Sequence, residues 1–95
     1  MKLAWSTLAR EELKALRRCS IERWGADVAQ RYVEDLRDAA KQLSVVPGRA
    51  RKLRGPYRIF RVRSHCMILH VDAEADRVTI ARVLHVAMDI ERHLP

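Results

Sequence analysis

The chain has 95 residues and a mass of 11.0 kDa, which leaves room for one hydrophobic core and one domain spanning residues 1–95. Apolar residues make up 48% and charged residues 33%, ordinary for a folded soluble domain and too apolar for a disordered chain; 19 Lys and Arg against 12 acids give a net charge of +7. No apolar run approaches the roughly 20 residues of a membrane-spanning helix, and the start Met1-Lys2-Leu3-Ala4-Trp5 lacks the apolar stretch of a signal peptide.

Residues 2–5 are short and apolar and read as an edge strand. Ser6 or Thr7 can cap a helix, with Glu11 and Glu12 in its early turns where the helix dipole favours acids. Ala9, Leu13, Leu16, Ser20 and Trp24 recur at spacings of three and four and form a modest amphipathic stripe. Gly25 ends that helix, and Asp27 stands near the start of the next. The stripe Ala29, Tyr32, Val33, Leu36, Ala40, Leu43 is cleaner, and Pro47-Gly48 stops it. Two helices with so short a joint must double back as an antiparallel hairpin.

After Arg54-Gly55-Pro56 the hydrophobic period moves toward two. Tyr57–Arg63 is a strand with Phe60 and Val62 facing one way, Arg61 and Arg63 the other. The run from His65 to Asp72 is apolar on both faces and should be central and covered on both sides. Ala73-Glu74-Ala75-Asp76 is a polar turn, Arg77–Leu84 a third strand, and Met88–Leu94 a closing helical turn or two. Short connections between these strands demand antiparallel pairing. The expected fold is therefore α+β: an N-terminal strand, a helical hairpin packed on a mainly antiparallel sheet (β-α-α-β-β-β), and a short helical tail. Helices cover one face of the sheet, and the other face has no assigned cover.

Charge is uneven. Between Arg49 and Arg63 lie seven basic residues and no acid. Such a stretch either attracts an anionic partner or protects a solvated strand edge from aggregation. Few aromatics interleave with it, so direct nucleic-acid binding by the chain alone is not expected.

The histidines and cysteines yield little chemistry. Cys19 and Cys66 are 47 positions apart and read as buried free thiols of a reducing, cytoplasmic compartment. Cys66 and His70 share a strand face, but four residues of strand span roughly 13 Å, too far to hold one metal ion. No phosphate loop, nucleophile elbow or metal-binding run is present in the sequence, so no cofactor and no metal site is expected. One constellation stands out: Arg82, His85, Asp89 and His93 near the C-terminus, with Arg58 and Arg61 on the same sheet. RNA cleavage needs a base for the 2′-hydroxyl and cations for the phosphorane, roles open to His85 and to Arg82 or Arg61. Alternatively Arg82 and His85 brace the tail through carbonyls and Asp89, and Asp89 with His93 forms a surface pair.

The segments Leu53-Arg54-Gly55-Pro56-Tyr57-Arg58, Ser64-His65-x-x-Ile68 and Arg82-Val83-Leu84-His85-x-x-Met88-Asp89-x-x-Arg92-His93-Leu94 resemble the ParE branch of the RelE/ParE toxin superfamily. The helix pair with Arg23-Trp24-Gly25, Ala29 to Leu43 and Pro47-Gly48 is similar to that family's N-terminal half, so the resemblance runs from about residue 3 to residue 94. It implies the toxin of a type II toxin–antitoxin pair, one that inhibits DNA gyrase by binding and is not an enzyme. The implied partner is a ParD-like antitoxin, a ribbon-helix-helix protein forming a hetero-oligomer with the toxin. Antitoxin contacts are expected at Leu13, Leu16 and Trp24 on the hairpin and at Arg58, Arg61 and Arg63 on the sheet. Target contacts are expected at Arg82, His85, Met88, Asp89, Arg92 and His93. Members often carry Gly-Arg after the motif histidine, where this chain has Val86-Ala87. Two alternatives stand beside this reading. One is a RelE-like ribosome-dependent endoribonuclease using His85, Arg82 and Arg61. The other is a detoxified module that only forms complexes.

Overall fold

A computed structural model describes residues 1–94. The chain runs β1 (Lys2–Trp5), α1 (Thr7–Trp24), α2 (Ala26–Val45), a 3₁₀ turn (Pro47–Arg49), β2 (Arg51–Arg54), β3 (Tyr57–Val62), β4 (His65–Asp72), β5 (Arg77–His85) and a 3₁₀ turn (Ile90–His93). The strands form one sheet in the order β1-β5-β4-β3-β2. β1 pairs parallel with β5, and every other pair is antiparallel.

Ser6 caps α1, its hydroxyl accepting the Ala9 amide at 3.0 Å. Gly25 alone joins the helices at φ 89°, a conformation open to glycine but strained for other residues. The second stripe is buried throughout, at Ala29, Tyr32, Val33, Leu36, Ala40 and Leu43. It meets Ala9, Leu13 and Leu16 of α1 and Met67, Leu69, Val78, Ile80 and Val83 of the sheet in one core. Trp24, the last residue of α1, departs from its stripe and stands 54% exposed. Cys66 is buried as expected, whereas Cys19 is exposed on α1.

Three expectations are corrected. The meander has four strands: β2 precedes β3 across the Gly55-Pro56 turn, and its Arg51-Lys52-Leu53-Arg54 sequence lacks the apolar alternation that marks a strand. β3 ends at Val62, and Arg63 occupies the following turn at φ 55°. There its guanidinium reaches back to Asp35 of α2, so it does not share a face with Arg61. The uncovered face of the sheet is covered in part by the chain itself. Val86, Ile90 and Leu94 pack on Cys66, Ile68 and Leu84, beside Tyr57 and Ile59.

A bulge organises this end of the molecule. Ile68 pairs with Arg82 and Leu69 with Ile80, leaving Ala81 as the extra residue of β5. Its polar groups are taken up by α1 and the residue before it. The Ser6 hydroxyl donates to the Ala81 carbonyl at 2.8 Å, and the Val83 amide donates to Glu12 at 3.0 Å. Arg82 donates to the Glu12 carboxylate through Nε at 3.1 and 3.3 Å and through Nη2 at 2.9 Å, and through Nη1 to the His93 carbonyl at 2.9 Å. The pair is largely buried, with side chains 16% and 18% exposed. Removing one partner strands the other's charge, so Glu12→Ala should lower the unfolding free energy by about 3 kcal/mol in urea titrations. A loss below about 1 kcal/mol would show that solvent already screens the pair.

Candidate functional site

Alternation after the bulge sends Val83 and His85 toward the helices and Arg82 and Leu84 toward the tail. The expected C-terminal constellation is thereby divided between two faces.

On the helix side a cleft of about 490 Å³ opens between the C-terminal half of α1 and the ends of β4 and β5. Leu16, Cys19 and Trp24 form one wall, His65, Val83 and His85 the other, with Tyr32 and Met88 also lining it. Tyr32 Oη lies 2.6 Å from His65 Nδ1, accepts the Ser64 amide at 3.2 Å and donates to the Val62 carbonyl at 3.4 Å. The His65 and His85 rings meet edge to face at 5.3 Å. His85 Nδ1 accepts the Ala87 amide at 3.0 Å, which places the proton of the neutral ring on Nε2. Burial pushes the Tyr32 phenol above its ordinary range and holds the His65 imidazole below its own, the latter with a further push from His85. Met88, 41% exposed, and Trp24 give this cleft an apolar rim.

On the tail side a second cavity of about 450 Å³ is lined by Tyr57, His70, Thr79, Arg82, Arg92 and His93 among others. Arg82 enters it with its charge already matched by Glu12. Asp89 pairs outward with Arg92 at 3.3 Å, so neither the expected Asp89–His93 pair nor an Asp89 brace on His85 forms among the described contacts. Arg82 does brace the tail, as one of the two readings of the sequence required, through the His93 carbonyl.

The residues expected to meet an antitoxin are dispersed. Leu13 and Leu16 are each 7% exposed core residues that offer an edge, not a projecting anchor. Arg58 is tied to the Ala50 carbonyl at 2.8 Å. Arg61 lies on the tail-side face beside Cys66, where its charge partly opposes the upward pull of burial on that thiol. Arg63 folds over the Tyr32 ring, 5.2 Å from its centroid. Glu12, Cys19, Ser20, Arg23 and Tyr32 also line the cleft, and no local sequence pattern marks them as site residues. Tyr32 reads from sequence as plain core, and only its phenol oxygen, projecting to the β3–β4 turn, makes it part of the site.

A family model for the ParE toxin of type II toxin–antitoxin systems (parDE) matches residues 3–90. The chain belongs to the ParE toxin family. Toxin ParE1 of Mycobacterium tuberculosis is 34% identical over 92 residues, covering 94% of this chain and 93% of that protein. Among solved structures, the chromosomal ParDE TA system from P. aeruginosa superposes with a TM-score of 0.78 at 20% identity, over 90% of this chain and 96% of that one. The RelBE2 toxin–antitoxin complex from Mycobacterium tuberculosis gives 0.69 at 24% identity, over 88% and 95%. At such identities these two likenesses bear on the fold alone. This ParE-family toxin therefore has the expected α+β architecture, and no described helix is long and apolar enough to cross a membrane.

The His65 environment makes a solution prediction. In the unfolded chain the imidazole titrates near its ordinary value of about 6.5, and in the fold it resists protonation. As pH falls through that value the unfolded state takes up the proton first, so this contribution to stability is complete above about 6.5 and is lost below it. Urea unfolding at neutral and mildly acidic pH should show a larger acid-induced loss in the wild type than in His65→Gln. Equal losses would mean that His65 titrates alike in both states.

Proposed function

We propose that this toxin acts by binding DNA gyrase, without bond chemistry of its own, and that a ParD-like antitoxin silences it by covering the same face. One observation carries the preference for binding over catalysis. Endonucleolytic cleavage requires a base and free cations around one phosphate. Here Arg82 is engaged by Glu12 and the His93 carbonyl, while Arg61 stands on the opposite face of the sheet from His85. The cations assigned to that chemistry are not gathered beside the histidine.

The helix-side cleft suits recognition better. An exposed Trp and Met at the rim of an apolar cavity are the side chains that dominate binding energy when a partner excludes water from them. Leu16 and Trp24, assigned to the antitoxin, line the same cleft as His85 and Met88, assigned to the target. An antitoxin segment lying there would occlude the target-binding residues directly, which accounts for silencing without a conformational change.

Purified protein added in parallel to gyrase supercoiling and to cell-free translation separates the possibilities. Blocked supercoiling with intact translation is the expected result. Cut message with normal supercoiling would replace it with the endoribonuclease, and silence in both would favour a detoxified module, consistent with Val86-Ala87. Met88→Glu should weaken gyrase inhibition at least about tenfold while shifting stability by no more than about 0.5 kcal/mol, since the side chain is exposed. Unchanged inhibition would move the target face elsewhere.

A further inference from the structure

His65 and His85 stand far apart in the chain and face one another across the β4–β5 pairing. The Val86 amide donates to the Ser64 carbonyl just beyond them at 2.9 Å. That bond makes His65 and His85 a non-hydrogen-bonded cross-strand pair, the kind whose side chains stand closer together. Their rings lie at 80° to one another with centroids 5.3 Å apart. Two imidazoles that bind one ion at about 2.0–2.1 Å, at a tetrahedral angle, hold their ring centres about 5.2 Å apart. Both rings line the helix-side cleft of about 490 Å³, which gives an ion an open approach. His70 and His93 line the tail-side cavity instead, and no ring contact joins those two among the described residues.

We propose that His65 and His85 together bind a divalent transition-metal ion such as Zn²⁺ in this cleft, each through one imidazole nitrogen. Imidazole suits zinc and its neighbours in the series, whereas magnesium and calcium take oxygen. His65 already has the outer partner that a metal-binding imidazole needs. Tyr32 Oη donates to the Val62 carbonyl, so its 2.6 Å contact with His65 Nδ1 is made by the ring's proton, and the Nε2 lone pair is left for the ion. His85 has to give up one bond. Its Nδ1 accepts the Ala87 amide, and the ion is taken either by Nδ1 itself or by Nε2 once the proton has moved to Nδ1. Both routes release the Ala87 amide, and because that bond is exposed, water replaces it. Among the described residues no third His, Cys, Asp or Glu completes a ligand cluster, so water fills the remaining positions. The site stands on the geometry of β4, β5 and Tyr32 and does not depend on the gyrase reading.

The test uses the full chain without an affinity tag, stripped of metal by a chelator, with Zn²⁺ as the probe and Mg²⁺ as the control. Isothermal titration should show a single Zn²⁺ bound per chain and no binding of Mg²⁺. His65→Gln and His85→Gln should each bind Zn²⁺ at least about tenfold more weakly, whereas His70→Gln/His93→Gln should bind it as the wild type does. His85 is exposed, so His85→Gln keeps the fold and decides the matter even where His65→Gln disturbs it. In ¹H–¹⁵N spectra Zn²⁺ should shift the Ala87 amide and quicken its hydrogen exchange, a change that a purely structural ring pair does not produce. Absence of Zn²⁺ binding, binding that survives His85→Gln, an equal loss in His70→Gln/His93→Gln, or an Ala87 amide that Zn²⁺ leaves unmoved each overturns the proposal.

Discussion

The Glu12 carboxylate is the point on which this molecule turns. It sits on α1, seventy residues before the arginine it pairs with, and receives three donors from β5: Nε and Nη2 of Arg82 and the amide of Val83. Those donors exist to be satisfied because the strand bulges at Ala81, and a buried bulge with unpaired amides would cost more than it returns. Ser6 closes the other half of the problem by binding the Ala81 carbonyl while capping α1. One helix start thus holds one irregularity in the sheet. In a strand with period two, a single extra residue exchanges the faces of everything after it. Without it, Leu84 would follow Val78 and Ile80 toward the helices, and His85 would face away from Tyr32. The helix-side cleft exists because of the bulge, and the bulge is tolerable because of Glu12.

The same arrangement commits Arg82 to the fold. The guanidinium joins helix, strand and C-terminal tail, with Nε and Nη2 on Glu12 and Nη1 on the His93 carbonyl. A phosphate seeking it would have to displace a bidentate carboxylate in a largely buried setting, where charge pairs are held most tightly. The tail fixed in this way also brings Val86, Ile90 and Leu94 over the sheet's second face.

How much of this was written in the sequence depends on range. The α2 stripe was legible residue by residue, because a 3.6-residue period over twenty positions is hard to produce by chance. The span of β4 was equally plain, since a run apolar on both faces has few other uses. β2 was not, for it is four residues long, mostly charged, and buried on neither face. Glu12 looked like an ordinary helix-dipole acid, and nothing local distinguishes it from Glu11. Its partner is 70 positions away, and the bulge that binds them leaves the sequence of β5 looking almost continuous. Arg63 misled for a different reason: alternation predicts its face only while the strand lasts, and the strand ends one residue earlier.

The placement of charge bears on how a partner grips the molecule. Part of the basic run from Arg49 to Arg63 serves the fold: Arg58 satisfies a carbonyl, Arg61 donates to the Arg63 carbonyl, and Arg63 pins the β3–β4 turn to α2. Of that run only Arg63 is ion-paired among the described contacts, and Arg51, Lys52 and Arg54 stand exposed beside it. α1 then acts as a wall with unlike sides, cationic toward α2 and apolar toward the ends of β4 and β5. A polypeptide that uses both must cross a helix of about 10–12 Å diameter, a distance that some four extended residues cover at about 3.3–3.6 Å each.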